Sequence, residues 1–159
     1  MKVIAMNPEK CVGCRLCELV CSLKHTREFN PIRSRVQVVG FEELFSFPIM
    51  CFQCEKPFCV EACPTRAISK SQTTGVVKIS KKRCIGCQMC TLACPFGNIG
   101  ISSIEKVAVK CEWCDGEPEC TLFCPTQALE WKDLSSVSID RKRSLSEKLR
   151  GGYYGLKQI

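Results

Sequence analysis

Cysteine is the residue type in this chain with the clearest capacity for chemistry, because 16 of its 159 residues are cysteines. They fall into four quartets, each opening with the spacing C-x2-C and closing with C-x3-C. The quartets are Cys11, Cys14, Cys17 and Cys21; Cys51, Cys54, Cys59 and Cys63; Cys84, Cys87, Cys90 and Cys94; and Cys111, Cys114, Cys120 and Cys124. No cysteine is left over, which indicates that the thiols are used four at a time.

The spacing within the quartets suits a cubane of iron and sulfide. In quartets one and three, C-x2-C-x2-C can supply three sulfurs from one tight turn, and the fourth cysteine lies a helical turn further on. In two-cluster bacterial ferredoxins that fourth cysteine ligates the other cluster. Quartets two and four carry a longer gap with one proline each, Pro57 and Pro118, and keep all four ligands. The sequence therefore predicts four [4Fe–4S] clusters held by all sixteen cysteines.

Zinc and disulfides are the competing uses of so many cysteines. Zinc prefers two separated C-x2-C pairs per ion, which leaves the third close cysteine of each quartet without a role. Cysteines this close in sequence rarely pair well as disulfides. Residues 1–8 lack the apolar stretch of a secretory signal, and no run nears the roughly 20 apolar residues that cross a bilayer. We therefore expect a cytoplasmic protein without a membrane span, in which disulfides are disfavoured.

The formal net charge of +7 would by itself suggest nucleic-acid binding. That count treats every cysteine as neutral, whereas sixteen thiolates around four oxidised cores bring the net charge to about −1. No nucleic-acid motif accompanies the charge, so no nucleic-acid partner is expected. The basic residues beside the ligand runs could raise the reduction potentials of nearby clusters, but we expect them to be solvated surface charges; they are Lys10, Lys81, Lys82, Arg83 and Lys110.

An internal repeat organises the chain. Residues 10–17 resemble residues 83–90, and residues 63–68 resemble residues 124–129, which indicates duplication of a two-quartet unit. Short runs predict strands at residues 36–39, 67–69, 76–79 and 107–109, with a hairpin turn at 71–75. Pro64, Pro95 and Pro125 follow the last cysteine of three quartets, whereas Ser22 in quartet one allows its helix to continue through His25. We expect an α+β fold of duplicated bacterial-type ferredoxin-like domains, with short hairpins and helices around the clusters and an extended C-terminal arm.

Over roughly residues 1 to 133, these quartets resemble those of the four-cluster iron–sulfur subunits of the dimethyl sulfoxide reductase type. In its short length, the chain is most similar to the small polyferredoxin subunit of tungsten-dependent aldehyde oxidoreductase complexes. The resemblance implies nested pairing of the quartets, one with four and two with three. The implied ligand sets are Cys11/Cys14/Cys17/Cys124 (cluster 1), Cys21/Cys111/Cys114/Cys120 (cluster 2), Cys51/Cys54/Cys59/Cys94 (cluster 3) and Cys63/Cys84/Cys87/Cys90 (cluster 4). From the residues alone, pairing one with two and three with four fits the duplication equally well.

The same resemblance implies a domain organisation and a function. An inner module would span residues 50–100, an outer module residues 1–35 plus 101–133, and residues 134–159 would form an arm that contacts a partner. The chain would be a non-catalytic subunit that relays single electrons between a tungsten or molybdenum pterin enzyme and a flavin subunit or soluble ferredoxin. The alternative is a free polyferredoxin, or a cluster-handling accessory protein of a hydrogenase, formate or CO dehydrogenase system.

No catalytic residue is predicted, because every cysteine serves as a ligand and no phosphate-binding glycine loop occurs. The lone histidine, His25, stands in a polar run and is expected on the surface. Apolar side chains beside the ligands are expected to belong to the core and to shield the clusters from water; they are Val12, Phe52, Phe58 and Ile85.

Overall fold

The computed structural model describes residues 1–41 and 45–155 as short elements separated by the cysteine-bearing turns. The strands are β1 (Lys2–Met6), β2 (Val36–Phe41), β3 (Phe45–Met50), β4 (Ile68–Lys70), β5 (Val77–Ile79), β6 (Gly100–Ile101), β7 (Ala108–Val109) and β8 (Leu129–Asp133). The α-helices are α1 (Leu16–Thr26), α2 (Phe58–Glu61), α3 (Met89–Ala93), α4 (Glu119–Leu122) and α5 (Leu134–Gly155). Single 3₁₀ turns cover Pro8–Lys10, Pro31–Arg33 and Trp113–Gly116. None of the described helices combines the length and the apolar character that crossing a membrane requires.

The strands form four separate two-stranded antiparallel sheets. Strands β4 and β5 form the hairpin between quartets two and three, and β6 and β7 form the hairpin between quartets three and four. Strand β1 pairs with β8, with Lys2 opposite Asp133 and Met6 opposite Leu129. Because this pairing joins the two ends of the cysteine-rich region, quartet one lies beside quartet four.

Two apolar clusters form the buried core, and both contain thiols. The larger one includes Cys17, Cys21, Val36, Val38, Met50, Val76, Cys111, Trp113, Cys120 and Leu129. The smaller one includes Ile68, Val77, Cys90, Ile99 and Ala108. Since the side chains available for each core are few, the sulfur-bearing residues make up a substantial part of the buried volume.

Most of the predicted short elements are confirmed. The predicted strands coincide with β2, β4, β5 and β7, and α1 continues through His25 as the absence of a proline after Cys21 indicated. Strands β1, β3, β6 and β8 were not predicted, and β3 contains Pro48, a residue that is rare in the interior of a sheet. Pro48 is tolerated because β3 pairs only with β2 within its two-stranded sheet, so one edge of the strand is free.

The prediction of an extended C-terminal arm is wrong, because residues 134–155 form helix α5. Leucine, lysine, arginine and glutamate favour helices, and no proline interrupts the segment. Its apolar residues recur at a helical period, with Leu134, Val137, Leu145 and Leu149 on one side. The first turn is attached to the body by the Leu134 N–H, which donates to the Met1 carbonyl at 3.0 Å.

Candidate iron–sulfur centres

The residue before the second cysteine of every quartet has the same left-handed backbone conformation. The φ angles are +68° at Gly13, +52° at Gln53, +70° at Gly86 and +58° at Trp113. Glycine is required at Gly86 for space as well, since a Cβ there would lie 2.4 Å from the Lys106 carbonyl oxygen. The four quartets therefore begin with the same tight turn, although their sequences differ at the position that forms it.

Gln53 and Trp113 hold this conformation at a cost of about 1–2 kcal/mol each, and their surroundings compensate. Gln53 is buried, its Nε2 donates to the Cys111 carbonyl at 2.8 Å, and its Oε1 accepts the Val77 N–H at 2.9 Å. Trp113 is buried and packs edge-on against Trp131, with ring centroids 5.4 Å apart. The contacts of both large side chains thus stabilise the same turn that glycine forms in quartets one and three.

Two cavities are each lined by four cysteines drawn from quartets two and three. One contains the thiols of Cys63, Cys84, Cys87 and Cys90. The other contains the thiols of Cys51, Cys54, Cys59 and Cys94. In each cavity three cysteines come from one quartet and the closing cysteine comes from the other quartet.

The cysteines of quartets one and four meet in the larger core. Burial raises the pKa of Cys120, and the neighbouring thiols of Cys111, Cys21 and Cys114 raise it further. Burial likewise raises the pKa of Cys17 to about 12, with smaller contributions from Glu18, Cys14 and Cys11. Cys21 from quartet one is therefore an electrostatic neighbour of three cysteines of quartet four.

The raised pKa values of the buried cysteines determine when their thiols can bind a metal. Burial lifts the pKa of Cys59 to about 11 and that of Cys111 to about 12, and it raises that of Cys90. Such thiols stay protonated at neutral pH unless cations favour the thiolate, and iron supplies that charge when it binds. No three cysteine, histidine or carboxylate side chains in the described ranges are grouped to hold a single metal ion. A cubane differs from a single ion because each of its four thiolates binds a separate iron atom.

Several groups are already directed at the ligand sulfurs. Backbone N–H groups donate to Cys21 Sγ from Arg35 at 3.3 Å, to Cys63 Sγ from Ala67 at 3.2 Å and to Cys84 Sγ from Ala108 at 3.4 Å. These bonds stabilise the negative charge of a thiolate, which is how a protein adjusts the properties of an iron–sulfur site.

The Cys-Pro-Thr repeat also contributes to these contacts. The Thr65 hydroxyl lies 3.7 Å from Cys63 Sγ, and the Thr126 hydroxyl lies 3.9 Å from Cys124 Sγ. The sequence carries the signal for this role, because the same threonine follows the closing cysteine by two residues in quartets two and four.

The prediction that His25 lies on the surface is only partly right, because its side chain is half-buried. Helix α1 carries it inward, where its Nε2 lies 3.7 Å from Cys114 Sγ. Burial lowers the pKa of His25 to about 4, and the charge of Arg35 adds to this effect. The ring is therefore neutral at pH 7. The polar residues around His25 give no sign in the sequence that it contacts a ligand sulfur. Residues 25 and 114 come together only because α1 packs on α4 and on the 3₁₀ turn that precedes α4.

The expected locations of the flanking residues also need correction. Lys10, Lys81, Lys82 and Arg83 are exposed as predicted, whereas Lys110 retains 4% of its accessible surface. The apolar residues expected in the core are exposed instead: Val12 (68%), Phe52 (43%), Phe58 (59%) and Ile85 (69%). They lie beside the ligands on the outer surface of the protein.

Comparisons with known proteins agree with this chemistry. A family model described as a 4Fe–4S dicluster domain matches residues 42–134, and one described as a 4Fe–4S binding domain matches residues 8–24. The aliphatic sulfonate oxidoreductase, polyferredoxin-like subunit, of Pyrococcus furiosus is 40% identical over 121 residues, 76% of this chain and 70% of that protein. The thiosulfate reductase electron transfer subunit PhsB of Salmonella typhi is 32% identical over 153 residues, 87% of this chain and 79% of that protein.

A solved structure shares the fold. A chain of the active site complex BamBC of benzoyl coenzyme A reductase, in complex with benzoyl-CoA, superposes with a TM-score of 0.50 and 26% identity. The match covers 92% of this chain and 89% of that one. The protein therefore belongs to the 4Fe–4S dicluster family, and it is a non-catalytic iron–sulfur subunit of the dimethyl sulfoxide reductase type that binds multiple [4Fe–4S] clusters and transfers electrons.

Proposed function

We propose that the chain holds four [4Fe–4S] clusters with nested ligand sets and relays single electrons along them between a catalytic subunit and a second redox partner. The sets are those that the resemblance implies: Cys11/Cys14/Cys17/Cys124 for cluster 1, Cys21/Cys111/Cys114/Cys120 for cluster 2, Cys51/Cys54/Cys59/Cys94 for cluster 3 and Cys63/Cys84/Cys87/Cys90 for cluster 4. Clusters 1 and 2 would belong to the outer module, residues 1–35 plus 101–133, and clusters 3 and 4 to the inner module, residues 50–100.

The observation that carries this proposal is the exchange of the closing cysteine between quartets. Cys63 lines a cavity with the first three cysteines of quartet three, and Cys94 lines a cavity with the first three of quartet two. Pairing quartet one with two would require Cys63 to reach the turn at Cys11–Cys17 instead. The observed cavities support the nested arrangement for clusters 3 and 4.

The register of β1 and β8 supports the same arrangement for the outer module. Met6 lies opposite Leu129, and Cys11 follows Met6 by five residues, as Cys124 precedes Leu129 by five. Because the strands are antiparallel, the segments 7–11 and 124–128 adjoin the same end of the two-stranded sheet. Cys120, its two quartet-four neighbours Cys111 and Cys114, and Cys21 of quartet one are close enough to influence one another's charge, as the ligands of cluster 2 would be.

The exposure of the ligands suggests the order of the sites. Cys14 and Cys87 are the exposed ligands, and they belong to clusters 1 and 4. Cluster 2 has three buried ligands, Cys21, Cys111 and Cys120, whereas clusters 1 and 4 have one each, Cys17 and Cys90. The Gln53 side chain connects cluster 2 to cluster 3 through its bond to the Cys111 carbonyl. We therefore infer the order 1–2–3–4, with electrons entering and leaving near the two exposed cysteines.

The chain's own residues prepare these sites for electron transfer. Each bound cluster would accept and release one electron at a time. The N–H groups of Arg35, Ala67 and Ala108 hold the sulfurs and offset their charge. The exposed Val12 and Ile85, beside Cys14 and Cys87, provide apolar contact surface where a partner can approach without desolvating charged groups.

The catalytic partner that we propose is a tungsten or molybdenum pterin enzyme, with a flavin subunit or a soluble ferredoxin at the other end. The support is that two similar proteins are subunits of redox enzymes, one of an aliphatic sulfonate oxidoreductase and one of a thiosulfate reductase. Anaerobic purification of the native protein, followed by size-exclusion chromatography and metal analysis, tests this. Co-elution with a larger chain carrying tungsten or molybdenum supports the proposal. Elution as a stable monomer would favour the free polyferredoxin or cluster-handling role instead.

The cluster grouping has its own test, based on paired substitutions. Under the nested arrangement, Cys11→Ala and Cys124→Ala affect the same cluster, so the double variant keeps about 12 iron atoms per chain. The double variant Cys11→Ala with Cys63→Ala affects two clusters under the nested arrangement. It should therefore lose one cluster more than the first double variant. Iron and sulfide analysis, with spin integration of the fully reduced samples, distinguishes the two cases. The reverse order of iron contents would refute nested pairing and favour sequential pairing.

A further inference from the structure

Lys110 lies buried where the outer and inner modules meet. Its Nζ donates to the Cys111 carbonyl at 2.8 Å and lies 3.3 Å from Oε1 of Gln53. Within the described part of the chain, no carboxylate forms an ion pair with this ammonium. A buried ammonium is costly unless negative charge nearby compensates it. Carbonyl oxygens satisfy its hydrogen bonds but not its charge.

Thiol ligands of two different sites surround this charge. Burial raises the pKa of Cys111 to about 12 and that of Cys59 to about 11, and the charge of Lys110 opposes the rise at both thiols. Cys111 belongs to the proposed cluster 2, and Cys59 belongs to the proposed cluster 3. The two thiolate sites on either side of the junction would supply the compensating negative charge when their clusters are bound.

Gln53 positions the ammonium. Its Oε1 faces Lys110 while also accepting the Val77 N–H, and its Nε2 donates to the same Cys111 carbonyl that Lys110 contacts. The residue keeps its left-handed φ of +52° at a position where quartets one and three have glycine. A glycine in its place would form the turn more easily and would leave Lys110 without this partner.

We propose that Lys110 is a fixed positive charge that raises the reduction potentials of clusters 2 and 3, and that Gln53 holds it at the junction between them. The inference rests on the four-cluster grouping proposed above. Adding an electron to a cluster adds negative charge, so a nearby buried cation favours the reduced form. The low polarity of the junction keeps this effect strong, whereas water and salt screen an exposed lysine. The two middle sites would thus be the preferred resting place of an electron on its way through the chain.

The chain supplies a matched control for this proposal. Lys10 precedes Cys11 as Lys110 precedes Cys111, but Lys10 is exposed. We expect Lys110→Met to lower the equilibrium constant for reduction of two clusters by about tenfold each, a shift of about 59 mV per one-electron step. Lys10→Met should leave every step unchanged. The measurement is a potentiometric titration followed by electron paramagnetic resonance, on the anaerobically purified full chain with iron and sulfide measured in each sample.

Two further variants separate charge from packing. Gln53→Glu keeps the side chain's size and sets a carboxylate against Lys110, so it should lower the same two potentials. Lys110→Arg keeps the charge and should restore values close to those of the unmodified chain. Full iron content with four unchanged potentials in Lys110→Met overturns the proposal. So does loss of iron in both Lys110→Met and Gln53→Glu with full iron in Lys10→Met, because it assigns the lysine a structural role. Fewer than four one-electron steps in the unmodified chain would instead refute the four-cluster proposal.

Discussion

Replacing Glu18 by alanine removes one buried contact between helix α1 and strand β2. The Glu18 Oε1 accepts the Val38 N–H at 2.7 Å, and both residues are buried. The other carboxylate oxygen has no hydrogen-bond partner among the described residues and lies 3.8 Å from the Arg15 guanidinium. Glu18 lies between Cys17 and Cys21 on α1. Its bond to β2 therefore holds in place the helix that supplies ligands to two of the proposed clusters.

The size of the effect follows from the orphaned donor. A buried N–H left without an acceptor costs about 1–3 kcal/mol. Since about 1.4 kcal/mol corresponds to a factor of ten, opening of α1 and release of its ligands should be about 5 to 150 times more frequent. Glu18→Gln keeps an acceptor for the Val38 N–H and should fall between the wild-type chain and Glu18→Ala.

The assay is the rate at which the visible absorbance of the clusters is lost after anaerobic dilution into guanidinium chloride. A rate is the proper measure, because cluster loss makes unfolding irreversible. Glu61→Ala is the matched control, since Glu61 also lies on a ligand-bearing helix but is exposed. Equal rates for Glu18→Ala and Glu61→Ala would show that the contact between α1 and β2 does not limit cluster release, and would refute the reasoning.

Three other outcomes are expected. In the tautomer that carries the proton on Nε2, His25 donates to the Cys114 sulfur, so His25→Phe should lower the potential of the cluster bound by Cys114; an unchanged potential in redox titration would contradict this. Gly86→Ala should reduce iron content sharply, since its Cβ would meet a backbone carbonyl, whereas Gly97→Ala, with the same sign of φ and open space, should not. Deleting residues 135–159 should weaken association with the partner in a pull-down while iron content stays the same, and loss of iron would argue against a docking role.

Much of the chemistry could be predicted from the sequence, because ligand identity is a property of the residues themselves. Sixteen cysteines in C-x2-C quartets restrict the cofactor without any knowledge of the fold, and the family match agrees with that prediction. The hairpin of β4 and β5 was also predictable, since its turn and its strands are adjacent in sequence. Local patterns determine local structure, and here they determined the cofactor as well.

Burial, in contrast, was decided by the tertiary structure. Lys10 and Lys110 each precede the first cysteine of a quartet, yet one is exposed and the other retains 4% of its surface. His25 contacts a sulfur 89 residues away only because α1 packs against quartet four. The apolar Val12 and Ile85 face outward, whereas Gln53 and Trp113, which also lie between the cysteines of such turns, are buried, so the segments packed around each turn decide which of its side chains are covered. Spacing along the chain specifies which atoms bind iron, but which charges and donors surround them depends on contacts between segments far apart in sequence.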